Sequence, residues 1–130
     1  MIGLLIVSHS AKIADGTLEL AEQMTRGEVP IAAAGGTEDG SLGTSADLIR
    51  TAAERLVANG AEGLLVLVDL GSAVMSAEIA LEDFPRPYRL SNGPLVEGAL
   101  MAAVEASIGA NLDQVAAIAV QTKDLLKVHD

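Results

Sequence analysis

The sequence predicts an α/β domain with a doubly wound, mainly parallel sheet of four strands and helices on both faces. Three observations carry that prediction. Apolar runs alternate four times with segments of helical period. The runs Ile2–Val7 and Leu64–Val68 are continuous rather than alternating, which requires burial on both faces of the strand. Half of the 130 residues are hydrophobic, enough to fill one core without disulfides or metals. Right-handed crossovers between parallel strands then favour the order 2-1-3-4, the flavodoxin-like arrangement.

The elements follow in order. Residues 2–7 form the first strand. A helix runs from Lys12 to Arg26, with Ile13, Leu18, Ala21 and Met24 on one face and Gly27 as its stop. Val29 to Ala34 form the second strand. Residues 35–43 are a loop with four glycines in nine positions, the most flexible stretch by composition. Thr44 or Ser45 caps a second helix that reaches Asn59, with Asp47 at its positive end. Leu64 to Val68 form the third strand. Gly71 and Ser72 open a third helix that runs to Asp83, with Val74 and Met75 assigned to the core. Tyr88 to Ser91 form a short fourth strand. Pro94 starts a fourth helix, stopped by Gly109, and Asn111 caps a fifth that extends to Lys127. One domain is expected over 1–130.

Composition excludes several functions. Lys and Arg number 8 against 18 Asp and Glu, a net charge of -10. Nucleic acid and anionic membrane surfaces need a basic footprint, so neither is expected as a partner. There is no cysteine, hence no disulfide, thiolate metal site or thiol nucleophile. Phosphate-loop, dinucleotide, nucleophile-elbow and zinc-protease motifs are all missing, and no metal site is expected. The apolar N-terminal run is too short to span a bilayer and lacks a basic segment ahead of it, so a cytoplasmic location is expected.

His9 is the residue that stands out. It follows the first strand directly, and the only other histidine, His129, sits in the C-terminal tail, where no role is assigned to it. Asp69 follows the third strand. In the order 2-1-3-4 these two strands flank the switch point, so residues sixty apart in sequence meet in one crevice. A carboxylate on one imidazole nitrogen fixes the tautomer and frees the other as a nucleophile. Asp69 has a second role open to it, as the cap of the third helix. Gly71 and Ser72 begin that helix, where unpaired backbone N–H groups attract anions, and Gly43 and Thr44 approach from the other side. Nucleophile, orienting carboxylate and anion-binding amides together describe a phosphoryl acceptor and donor.

Four runs carry a resemblance: Val7-Ser8-His9-Ser10, Gly43-Thr44, Asp69-Leu70-Gly71-Ser72-Ala73 with Ser76-Ala77-Glu78, and Pro94-Leu95-Val96-Glu97-Gly98-Ala99. They resemble the DhaM phosphotransferase subunits of bacterial dihydroxyacetone kinase, whose N-terminal domain is similar to the mannose-type EIIA domain of the phosphoenolpyruvate phosphotransferase system. The resemblance implies that His9 is the phosphorylated histidine and Asp69 its hydrogen-bond partner, with Ser10, Gly43, Thr44, Gly71 and Ser72 around the phosphate. It implies a phosphoryl donor, HPr, and an acceptor, ADP held by the subunit DhaL, with DhaK involved indirectly through its dihydroxyacetone. It implies a homodimer and no cofactor beyond covalent phosphohistidine. Some family members continue into HPr-like and Enzyme I-like domains; with the sequence stopping at Asp130, the donor is expected to be a separate protein unless the sequence is a piece of a longer chain, and the residues do not decide between these. Three rival readings are a mannose-type EIIA that serves a sugar transporter, a regulatory module that binds without transferring phosphate, and a flavodoxin-like small-ligand binder, the last disfavoured because stacking aromatics are nearly missing.

Overall fold

In the computed structural model, which describes residues 1–129, the elements are β1 (Ile2–Ser8), α1 (Ala11–Thr25), β2 (Ile31–Gly35), α2 (Ala46–Ala58), β3 (Gly63–Val68), α3 (Gly71–Ala80), β4 (Tyr88–Ser91), α4 (Leu95–Ser107) and α5 (Leu112–Gln121), closed by a 3₁₀ turn at Thr122–Asp124. The sheet order is β2-β1-β3-β4 and every pairing is parallel, as the apolar runs predict.

All seven residues of β1 are buried because both faces of the sheet are covered. Ile2, Leu4 and Ile6 join Leu65 and Leu67 of β3 under α1, α4 and α5. Leu5 and Val7 join Leu64 and Val66 under α2 and α3. Each fully buried aliphatic side chain contributes roughly 1.5–3 kcal/mol, so the β1–β3 pair is the stiff spine of the domain. The two strands stay in register as far as Val7 and Val68. The chain then leaves the sheet at neighbouring points, with α1 on one face and α3 on the other.

The face of α1 differs from the sequence expectation. Its buried residues are Ala14, Thr17, Ala21 and Thr25, whereas Ile13 and Met24 are exposed. Small side chains on α1 meet the equally small Ala99, Ala102, Ala103 and Ala106 of α4, and this allows close approach of the two helices. Of the expected face, Ala21 is buried and Leu18 packs partly buried on the core, whereas the packing leaves out the large Ile13 and Met24 that periodicity also marked. The same correction applies to α3, where Met75 is 66% exposed and Val74 only half-buried, and the inward side is Ala73, Ala77 and Ala80.

Several boundaries also move. β2 begins at Ile31 because Pro30 has no N–H, and its carbonyl instead accepts from Leu4 N–H at 2.9 Å. α3 ends at Ala80, short of Asp83, which adopts a left-handed φ of 61°. α5 ends at Gln121 rather than Lys127: the Thr122 hydroxyl donates to Ala119 O at 2.6 Å as the chain tightens. Lys127 lies beyond, with its ammonium on Glu97 at 2.8 Å, and His129 is exposed.

Gly35 at the end of β2 sits against the turn that carries the site. A Cβ there would lie 2.6 Å from Ser10 O and 2.7 Å from both Ala11 Cα and Ala14 Cβ. Overpacking of this kind costs about 1–3 kcal/mol. Gly35→Ala is therefore expected to lower the denaturant midpoint by a corresponding amount, measured by urea unfolding.

Candidate active site at the carboxyl edge of the sheet

His9 is the first residue past β1, and its side chain is 25% exposed. The backbone around it is fixed on three sides. Ser10 caps α1, its hydroxyl accepting from Ile13 N–H at 3.3 Å, and its own N–H donates to the Ser8 hydroxyl at 3.0 Å. Gly36 N–H donates to Ser8 O at 3.1 Å. Gly43 N–H donates to His9 O at 2.9 Å. Thus Ser10 and Gly43, both expected beside the phosphate, hold the histidine-bearing turn through their backbone N–H groups.

Asp69 ends the neighbouring strand and reaches across. Its Oδ1 accepts from the His9 ring at Nδ1, 2.9 Å away. Its Oδ2 accepts from His9 N–H at 2.9 Å and from the Ser8 hydroxyl at 2.9 Å. Partial burial alone would raise the Asp69 pKa, but these hydrogen bonds from His9 and Ser8 outweigh it and hold the carboxyl below its ordinary value. Asp69 is consequently a carboxylate at neutral pH. The second role left open by the sequence is not taken: the N-cap of α3 is Leu70, which makes no side-chain capping bond. Ser8, fully buried, is the residue that sequence reasoning missed. A serine inside a buried apolar run needs a partner, and that need was the available signal.

With Asp69 accepting from Nδ1–H, the opposite nitrogen Nε2 carries the lone pair. The Ser72 hydroxyl, in the first turn of α3, donates to it at 2.5 Å. Gly71 and Ser72 lead α3, so their N–H groups lie outside the helix's own ladder. No Cβ at Gly71 would meet another atom within 4 Å, which leaves that approach open. One turn further along α3, the Ser76 hydroxyl pairs with the Thr44 hydroxyl at 2.6 Å. Thr44 therefore ties the β2–α2 loop to α3, and the cap of α2 is Ser45, which accepts from Leu48 N–H at 3.2 Å.

The loop itself is less free than its glycines imply. Asp39 accepts from the hydroxyls of Thr37 and Ser41, each at 2.6 Å, and from Ser41 N–H at 3.1 Å, which lowers its pKa to about 2. The concavity beside this loop is lined by Thr37, Glu38, Asp39, Ser41, Thr44 and Ser45. Two carboxylates in that lining disfavour a phosphate there, so Nε2 and the start of α3 remain the place where an anion fits. Among the described residues, no group of three His, Cys, Asp or Glu is arranged to hold a metal ion.

The sequence model of EIIA-man, described as the PTS system fructose IIA component, matches residues 3–116. The chain belongs to the EIIA-man family. Among its relatives is the phosphoryl donor subunit DhaM of a PEP-dependent dihydroxyacetone kinase from Providencia stuartii, 43% identical over 88% of this chain but only 25% of the relative. The chain thus spans about a quarter of that protein's length. A second is the phosphoryl donor subunit DhaM of PEP-dependent dihydroxyacetone kinase 2 from Listeria innocua serovar 6a, 37% identical over 99% of this chain and 100% of the relative. The crystal structure of a phosphotransferase system component EIIA from Streptococcus agalactiae superposes with a TM-score of 0.70 at 19% identity, covering 98% of this chain and 97% of that one, a likeness of fold. No helix of this EIIA-man chain, among the described residues, is long and apolar enough to cross a membrane.

Asp69→Asn tests the central carboxylate. A charge-assisted hydrogen-bond set of this kind contributes roughly 1–3 kcal/mol. Because the folded pKa is depressed, that stability is present above the unfolded aspartate value of about 3.9 and is lost as pH falls through the folded value. Thermal melts from acid to neutral pH are expected to show the wild type ahead of Asp69→Asn at neutral pH, with the gap closing toward low pH.

Proposed function

We propose that this EIIA-man chain is a phosphoryl carrier that accepts phosphate on His9 Nε2 and serves a dihydroxyacetone kinase as its DhaM subunit. The observation that carries the reading is the pairing of His9 Nδ1 with the Asp69 carboxylate, which leaves the Nε2 lone pair facing the Ser72 hydroxyl at the N-terminus of α3, an end with no side-chain cap. The DhaM relatives supply the system, above all the Listeria protein matched over its full length. The family description names a sugar-transport component, which keeps a mannose-type EIIA with a sugar-specific acceptor as the second reading.

In the first step the Nε2 lone pair attacks the phosphorus of a donor phosphohistidine on HPr. The new N–P bond forms as the donor's N–P bond breaks, and that electron pair returns to the donor ring. His9 keeps its proton at Nδ1 and becomes an N-phosphorylated imidazolium, whose positive charge faces the Asp69 carboxylate. The Ser72 hydroxyl lies where the phosphoryl group must arrive, so it rotates aside and then donates to a phosphoryl oxygen. The N–H groups of Gly71 and Ser72 supply further donors, and positioning with electrostatics does the remaining work. In the second step a β-phosphate oxygen of ADP on DhaL attacks phosphorus in line, the N–P bond breaks, and its electron pair returns to Nε2. The ATP formed then serves dihydroxyacetone on DhaK. Within this reading the protein acts in the cytoplasm as a homodimer.

Incubation with phosphoenolpyruvate, Enzyme I and HPr is expected to add one acid-labile phosphoryl group to the intact mass, absent in His9→Ala. DhaL with ADP should then remove it. Retention of the phosphoryl group in His9→Ala refutes the proposal. Discharge to a sugar-specific EIIB partner but not to DhaL selects the second reading.

A further inference from the structure

Ser8 carries a buried hydroxyl that the transfer steps above do not use. It closes β1, a strand otherwise made of aliphatic residues and Gly3, and none of it is exposed. A hydroxyl at such a place costs stability unless it is paired. Its pairing is complete and runs in one direction. Ser10 N–H, which can only donate, occupies the Ser8 oxygen at 3.0 Å. The Ser8 proton therefore goes to Asp69 Oδ2, an acceptor 2.9 Å away.

The two oxygens of Asp69 divide their work. Oδ1 meets the His9 ring at Nδ1, 2.9 Å away. Oδ2 is held from behind by the Ser8 hydroxyl and by His9 N–H. A histidine side chain in water prefers its proton on Nε2, the nitrogen that has to be bare to attack phosphorus. The opposite tautomer must be imposed. Ser72 cannot impose it, because a hydroxyl donates to a bare Nε2 and accepts from a protonated one. The carboxylate can, provided that Oδ1 stays on Nδ1. Its side chain is 18% exposed, so water is at hand to take Oδ1 if the group turns. His9 N–H alone gives Oδ2 one fixed point about which to turn. The Ser8 hydroxyl supplies the second.

We infer that Ser8 is a positioning residue for phosphoryl transfer: its hydroxyl holds the Asp69 carboxylate so that His9 keeps its proton on Nδ1 and its lone pair on Nε2. The use to which the tautomer is put rests on the phosphocarrier reading above. Ser8 touches neither the ring nitrogens nor phosphate and acts through Asp69. The same placement serves both steps. With Nδ1 protonated, the electron pair of the breaking N–P bond returns to Nε2 and the ring leaves as neutral imidazole. Without that proton it would have to leave as imidazolate, a far poorer leaving group.

The test reads tautomer and rate on the same samples. Nitrogen-15 spectra at alkaline pH, where imidazole is neutral, distinguish the two tautomers, and exposed His129 supplies an unconstrained reference within the chain. Wild-type His9 is expected to carry its proton on Nδ1. In Ser8→Ala it should move toward the pattern of His129, and labelling by phosphoramidate should slow about tenfold, the scale of one hydrogen bond to a charged group. Ser8→Cys, which keeps the volume with a weaker donor, should fall between the two in both readouts and serves alone if Ser8→Ala does not fold. In an Asp69→Asn background, Ser8→Ala should cost no further rate, since its effect passes through the carboxylate. A wild-type tautomer and rate in both Ser8 variants, with only the melting temperature lowered, overturns the inference, and so does a full additional loss in the Asp69→Asn background. Wild-type protein that takes no label removes the phosphocarrier reading alone, and the spectra then decide the role of Ser8 by the same criterion.

Discussion

The Asp69 carboxylate is the point on which the site depends. It receives three hydrogen bonds from two consecutive residues at the end of β1 and just past it: the Ser8 hydroxyl, the His9 backbone N–H and the His9 ring. One carboxylate thus holds the ring through Oδ1 and the backbone that carries it through Oδ2, so both are positioned by the same group. The sheet makes this possible. β1 and β3 are adjacent and parallel, and their register delivers Ser8, His9 and Asp69 to the same edge at the same height. The crossing of helices to opposite faces then opens the cleft that keeps Nε2 accessible.

The sheet was legible because strand burial leaves a plain mark. Ile2–Val7 and Leu64–Val68 have no polar interruption, and only a strand covered on both sides tolerates that. From those two runs the switch point followed, and with it the meeting of His9 and Asp69. The helical faces were harder. Periodicity ranks residues by hydrophobicity, whereas the α1–α4 contact is decided by size, so Ile13 and Met24 were read as buried and Ala14 was not. Met75 was misread for the same reason. The end of α5 was overextended because Leu125 and Leu126 continue an apolar pattern that the structure leaves exposed.

Around the site, side-chain chemistry was visible but its division of labour was not. Ser8 and Ser76 gave no periodic signal, since a hydroxyl's role depends on what the fold sets opposite it. Gly43 and Ser10 were placed in the right neighbourhood, yet their N–H groups are spent on His9 O and on the Ser8 hydroxyl. Ser72 alone among the expected phosphate residues points its side chain at His9 Nε2. These distinctions are set by hydrogen-bond partners far apart in sequence, which no local pattern encodes.

The hydrogen bond from Ser72 to Nε2 has a kinetic consequence. Under the phosphocarrier role proposed above, the Ser72 hydroxyl that meets Nε2 is a rotor that must change place for a phosphoryl group to arrive. Exposed side chains of this size reorient in picoseconds to nanoseconds, far faster than two proteins meet. In the proposed role, a carrier built this way imposes no gate of its own, and the arrival and departure of its partners set its pace.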